Sequence, residues 1–311
     1  MDAQLKEYFM KLISEEIELK YGKIILFNEK LANYSWFNLG GPSEIFFKPN
    51  SIEDIIYFFK TVKPNKITIL GAGSNTLIRD GGVKGITVKL SPHFSYLNLE
   101  SSNIIEAGAA TLDKRIADFA LENSLTGLEF LSCIPGSIGG GIRMNSGCYG
   151  EDISQILHSI KVVDIYGDKK DIPAADIKFH YRDSSLNNNL IITSVKLQGK
   201  VSLKEKIKKK QQILIEKKKN SQPNQIKTCG STFKNTKDKK AWELINESNC
   251  QNLQSGNAKI SDKHSNFFVN DGKATAIDLE DLINKVKETV YQKTKINLEL
   301  EIKIIGQNNK K

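Results

Sequence analysis

The stretch GLEFLSCIPGSIGGGIRMNSGCYGED, Gly127 to Asp152, constrains the fold of this chain more than any other. Gly136, Gly139, Gly140, Gly141, Gly147 and Gly150 lie in one window with Pro135. A flexible linker of such glycine content is polar, whereas this one interleaves Leu128, Phe130, Leu131, Ile134, Ile138, Ile142 and Met144. Those side chains need burial, so the segment reads as a folded loop whose bare backbone has something lying against it.

A second loop, ITILGAGSNTLIRDGG, runs from Ile67 to Gly82. Its β-branched start reads as a buried strand, and the glycines that follow let backbone N–H groups turn toward an anion. The dinucleotide fingerprint fails because Thr76 stands where a third glycine belongs, and no Gly-Lys-Ser/Thr follows to make a Walker loop. Alone, this loop reads equally as a tight turn or as a nucleotide cradle. Two such loops in one domain, neither with a lysine at its tip, suggest a large ligand whose phosphates are held by main-chain amides. A diphosphate cofactor such as FAD fits, and other nucleotides remain open on spacing alone.

The 311 residues allow two domains or one large one, and 39% hydrophobic residues suffice for a core. No apolar run reaches the ~20 residues of a membrane helix. The N-terminus reads as an amphipathic helix, not a signal peptide. A cytoplasmic protein with no membrane insertion and no obligate protein partner is expected. Cys133, Cys148, Cys229 and Cys250 are scattered without a C-x-x-C pair or a histidine set, so reduced thiols and no metal are expected. Net charge is +9, with eight lysines against two glutamates between Lys204 and Lys219. That segment lacks arginine and aromatic residues, and its Ile207, Gln211, Leu214 spacing suits a solvated helix with one buried stripe better than a nucleic-acid surface.

Along the chain, Ser51 reads as the N-cap of a helix carrying Ile52, Ile55, Ile56 and Phe59. TLDKRIADFALENS reads as another capped helix. A hairpin turns at Tyr166 to Asp168, and NLIITSVKLQG is a long strand ending near Gly199. KAWELINES and DLEDLINKVKETVYQKT are helices flanking the strand FFVN, and LELEIKIIG, Leu298 to Gly306, is a final strand. Helices and strands alternate irregularly, which favours an α+β class.

Five motifs then carry a resemblance. ILGAGSNTLI, IPGSIGGGIRMNSGCYGEDI, YRDS (181–184), GSTFKN (230–235) and LELEIKIIG, in that order, resemble the UDP-N-acetylenolpyruvoylglucosamine reductases, the flavoenzymes of peptidoglycan precursor synthesis. The resemblance spans about 36 to 306. It implies an FAD-binding domain of the vanillyl-alcohol-oxidase (PCMH) type at 36–200 and a smaller α+β substrate domain at 201–306. An N-terminal helix and strand at 1–35 and a tail at 307–311 complete this division. It implies FAD as cofactor, NADPH as co-substrate and UDP-N-acetylglucosamine enolpyruvate as small-molecule substrate. The cofactor contacts it implies are Gly40 and Gly41 of SWFNLGGP, Gly71, Gly73, Ser74 and Asn75, and Gly136, Ser137, Gly139 and Gly140. Backbone, serine and asparagine donors would then hold the diphosphate without a lysine.

The implied reaction reduces an enolpyruvyl vinyl ether to a lactyl ether, giving UDP-N-acetylmuramate. Hydride addition leaves electron density beside the carboxylate, so a stabilising cation and a proton donor are needed. By resemblance these are Arg182 and Ser231, with Glu301 polarising the intermediate or completing proton delivery. Read locally, Arg182 is a surface arginine beside Asp183, Ser231 a turn serine, and Glu301 a solvent-facing carboxylate sharing a strand face with Glu299. Asn235, Lys219 and His264 are the implied substrate contacts. Thr236 replaces a proline common in the family. The chain lacks the longer insertion carrying a substrate-capping tyrosine, which places it with the shorter second type.

Overall fold

The computed structural model describes residues 22–309. The helix expected at the N-terminus lies outside the described residues. In chain order the elements that matter are β1 (Ile25–Lys30), β2 (Pro42–Phe47), α1 (Ile52–Val62), β3 (Ile67–Ile69), β4 (Thr76–Ile78), β5 (Val83–Val88), β6 (Leu97–Ser101) and β7 (Ile104–Gly108). There follow α2 (Asp113–Glu122), α3 (Ile138–Arg143), β8 (Leu157–Asp164), β9 (Lys169–Pro173), β10 (Phe179–His180), β11 (Asp183–Ser184) and β12 (Leu190–Gln198). The last set is α4 (Lys204–Ser221), α5 (Ala241–Glu247), β13 (Gln254–Ser255), β14 (Ala258–Ser261), β15 (His264–Asn270), α6 (Ala276–Thr294) and β16 (Lys303–Ile305).

These elements form two compact bodies. The first comprises 22–29, Ser43–Gly71 and Gly85–Lys208. It contains a four-stranded sheet, β1-β2-β5-β3, and an antiparallel five-stranded sheet, β9-β8-β12-β7-β6. In the first sheet β3 and β5 run parallel, with Ile67 opposite Ile86. Helix α1 begins as its sequence dictates: the Ser51 hydroxyl accepts from Asp54 N–H at 3.1 Å and the Asp54 carboxylate accepts from Ser51 N–H at 3.0 Å. Its apolar stripe buries Ile55, Phe58 and Phe59, with Phe58 stacked on Phe47 at 4.0 Å. Val163 and Ile191 join the same core. The expected hairpin turn is closed by Asp164, whose carboxylate accepts from the N–H groups of Tyr166 and Asp168 at 2.9 and 3.0 Å.

The second body comprises Lys30–Pro42, Ala72–Lys84 and 209–309. It holds the antiparallel sheet β13-β14-β15, helices α5 and α6, and a parallel pair of β4 with β16. Thr275 and Asp278 form a capping box on α6, which buries Leu279, Leu282, Ile283, Val286 and Val290 along one stripe. The segment 72–84 is fastened to this helix by side chains. Asp80 accepts from Ala276 N–H at 3.0 Å, and Arg79 grips Glu280 through two 2.8 Å bonds.

Two local expectations change. Helix α2 is not capped by Thr111: Leu112 is the N-cap without a side-chain bond, and the Thr111 hydroxyl donates to Tyr96 O at 3.0 Å. The final strand is β16 only, because the backbone of Glu301 is taken by other partners before the ladder begins. Glu299 is exposed and sits 3.8 Å from Lys234. In α4 the predicted stripe holds, with Ile207, Gln211 and Leu214 buried and the lysines around them outward. Among the described residues no helix is long and apolar enough to cross a membrane, and no three His, Cys, Asp or Glu residues cluster as metal ligands.

Candidate active site

In the first body, Gly71 leaves the end of β3 and faces Ser137. A methyl group on Gly71 would meet the Ser137 hydroxyl at 3.2 Å and Gly140 Cα at 3.8 Å. The three glycines of α3 are not equivalent. A Cβ on Gly139 would press on Ala109 at 3.0 Å, and one on Gly141 would strike Ile153 Cδ1 at 2.7 Å. Gly140 has no such neighbour; its nearest contact would be Ser137 Oγ at 3.8 Å. Packing therefore confines Gly139 against backbone and Gly141 against the tip of a side chain, whereas Gly140 leaves backbone bare beside Gly71. Ser137 is the N-cap of α3, yet its hydroxyl makes no capping bond. A bare backbone patch and an uncommitted hydroxyl at one spot are what a diphosphate held by amides requires, so these residues fit FAD. Gly136 lies beside them and accepts from Asp113 N–H at 3.2 Å.

Arg182 occupies the turn of the β10–β11 hairpin with φ +56°. Its guanidinium donates to Asn145 O at 3.4 Å and Gly147 O at 2.5 Å and lies 4.8 Å from the Tyr181 ring. Asn145 is itself buried with φ +42° and donates to His180 O at 3.1 Å, while Ser184 donates to Arg143 O at 3.0 Å. The hairpin is thus stitched to the glycine-rich loop at three points. Arg182 is half-buried on that loop, not the exposed arginine that its neighbours in sequence suggest.

In the second body, Gly230 has φ +77° and open space where a side chain would be. That left-handed residue swings the chain into the segment bearing Ser231. Ser231 bridges to Phe267, Thr232 N–H donates to Asn266 O at 2.8 Å, and Phe233 bridges to Leu300. Asn266, 2% exposed, uses both ends of its amide on Phe233: N–H to Oδ1 at 2.9 Å, Nδ2 to O at 2.8 Å. Glu301 N–H donates to Thr232 O at 2.9 Å, and Asn75 Nδ2 donates to Glu301 O at 3.0 Å. Ser231, Glu301 and Asn75, distant in sequence, therefore converge on one rigid backbone knot. Asn266, invisible as a functional residue in the sequence, ties it.

The remaining expected residues have identifiable local duties. Gly73 abuts Tyr34 O, Gly40 abuts Ile78, and Gly41 abuts Asp80 O, each closer than any side chain allows. Ser74 is half-buried between Gly73 and Asn75. Asn235 accepts from Ala241 N–H at 3.0 Å and so caps α5. Lys219 is exposed near the end of α4, and its carbonyl accepts from Lys263 at 2.7 Å. His264 is half-buried between Trp242 and Phe267, its Nδ1 accepting from Asn266 N–H at 3.2 Å. Burial lowers its pKa. Cys229, beside the knot, is no nucleophile: burial pushes its thiol up to about 12, and it donates to Gly73 O and Thr76 O.

Comparison with known proteins matches both halves of the chain to described domains. Residues 43–170 match an FAD binding domain, and residues 222–305 match the UDP-N-acetylenolpyruvoylglucosamine reductase C-terminal domain. The α+β class with a PCMH-type domain holds. A UDP-N-acetylenolpyruvoylglucosamine reductase of Pelagibacter ubique is 43% identical over 95% of this chain and 98% of its own length. One from Wolbachia sp. subsp. Brugia malayi is 44% identical over 89% of this chain and 94% of its own. The crystal structure of the Thermus caldophilus reductase superposes with a TM-score of 0.79 at 30% identity, covering 90% of this chain and 97% of that one. By descent along nearly its whole length, this chain belongs to the UDP-N-acetylenolpyruvoylglucosamine reductase family.

Proposed function

We propose that the protein is an NADPH-dependent flavoenzyme that reduces UDP-N-acetylglucosamine enolpyruvate to UDP-N-acetylmuramate in the cytoplasm, with residues 36–200 binding FAD and 201–306 the substrate. The observation that carries this reading is the knot joining Ser231 and Glu301 through Thr232, in a chain whose residues 43–170 match an FAD binding domain. FAD, when bound, supplies the relay of hydride from NADPH to the terminal vinyl carbon. Ser231 then gives its hydroxyl proton to the carbon beside the carboxylate and is reprotonated from solvent. A serine is a weak acid, but a carbanionic carbon is a strong enough base to take its proton. Arg182 stabilises the carboxylate as it gains charge, and Glu301 supports proton delivery. Asn235 serves the substrate's nucleotide diphosphate, and Lys219 and His264 are further substrate contacts.

Half-reactions test the serine assignment. Ser231→Ala should leave reduction of the flavin by NADPH within about twofold of wild type. Reoxidation by substrate should fall by about 10²-fold or more, the range expected for losing a positioned acid. Equal damage to both half-reactions would remove Ser231 from the proton-donor role.

A further inference from the structure

The glycine cradle at Gly71 has a cation beside it that neither loop sequence contains. Lys89 follows the last residue of β5, and its Nζ donates to Gly71 O at 2.5 Å. Its own N–H is fixed to Phe47 O at 2.9 Å, at the end of β2, one residue before Lys48. The two lysines thus leave adjacent strand ends. On the other side of Gly71 stand Ser137 Oγ and the bare Gly140.

A cation in this place serves an anionic ligand in two ways. A carbonyl turned into a phosphate site repels the ligand, and Lys89 holds that of Gly71. Burial, then the neighbouring Lys48 ammonium, pulls the pKa of Lys89 down to about 8. A shielded cation pressed by a like charge is relieved when negative charge arrives nearby.

We propose that Lys89 is a positioning residue of the cofactor site: it fixes the Gly71 carbonyl and supplies, with Lys48, the positive charge against which the FAD diphosphate binds. This rests on the flavoprotein reading above. Lysine is present after all, brought from the next strand and not from the loop tip. Below pH 8 Lys89 carries its proton with or without ligand, so affinity does not vary with pH. Above pH 8 binding must take up a proton, and affinity falls by up to about tenfold per pH unit.

The test titrates full-length flavin-free protein with FAD, ADP and riboflavin from pH 6.5 to 9. Lys89→Met should weaken FAD and ADP by the same factor, about 10–100-fold, the range for losing a charge-assisted contact. It should leave riboflavin, which has no diphosphate, within twofold, and abolish the fall above pH 8. Lys89→Arg should retain most of the affinity. Lys48→Met should move the pH midpoint upward, and it keeps the proposal testable if Lys89→Met does not fold. Binding of FAD by Lys89→Met within twofold of wild type, or an unmoved midpoint in Lys48→Met, overturns the inference alone. Wild-type protein that binds neither FAD nor ADP overturns the flavoprotein reading and the inference with it.

Discussion

Single residues show how burial overrides the local appearance of a side chain. Asp113 looks like an ordinary acid in the first turn of a helix, where the macrodipole favours a charge. It is fully buried, neither carboxylate oxygen has a hydrogen-bond partner, and burial raises its pKa to about 8. A folded pKa above the unfolded one means that folding takes up a proton between about pH 4 and pH 8. Its contribution to stability is therefore complete below pH 4 and is lost as pH rises through 8. Asp113→Asn should remove that slope, up to ~1.4 kcal/mol per pH unit. Urea midpoints of the two proteins at pH 5 and pH 8 read the difference directly. Arg182 makes a second case at this scale. Two carbonyls and an aromatic ring hold its planar fork, so Arg182→Lys should leave less than about a tenth of wild-type kcat/KM, measured under steady state.

At the scale of elements, short segments are placed by what crosses them, not by their own propensity. The stretch from Ser231 to Lys234 forms only isolated bridges, and the amide of Asn266 supplies what a neighbouring strand would. Asn266→Leu leaves the N–H and C=O of Phe233 without that partner, a loss of about 2–4 kcal/mol. Urea unfolding measures it, and hydrogen exchange at Phe233 should rise with it. Helix α3 gives the complementary case. Gly139→Ala presses on Ala109 and should cost about 1–3 kcal/mol of apoprotein stability, and Gly141→Ala, which meets only the tip of Ile153, less. Gly140→Ala meets only Ser137 Oγ at an ordinary 3.8 Å, gains up to ~1 kcal/mol of helix propensity, and should weaken only FAD binding. Thermal unfolding without flavin, beside flavin titration, separates the two kinds of glycine.

For the molecule as a whole, FAD should act as a stabiliser by mass action. A hundredfold excess over Kd adds about 2.7 kcal/mol to whatever unfolds with the cofactor body, a shift of several degrees in the melting curve. The amino-acid sequence on its own determined the α+β class, the capped helix at Ser51, the hairpin turning at Tyr166 to Asp168 and the lysine-studded face of α4. Each depends on periodicity, capping side chains or turn residues within a few positions. The two glycine loops and the positions of Arg182, Ser231 and Glu301 were legible as motifs. Only the tertiary structure decided that Thr111 does not cap α2, that the last strand starts at Lys303, and that Asn266 ties Ser231 to its neighbours. It alone distinguished Gly140 from Gly139 and Gly141, buried Asp113, and set Lys89 behind Gly71. The physical reason is common to all of these. Burial, electrostatic neighbours and the space beside a backbone are properties of residues far apart in the chain, and no local pattern encodes them.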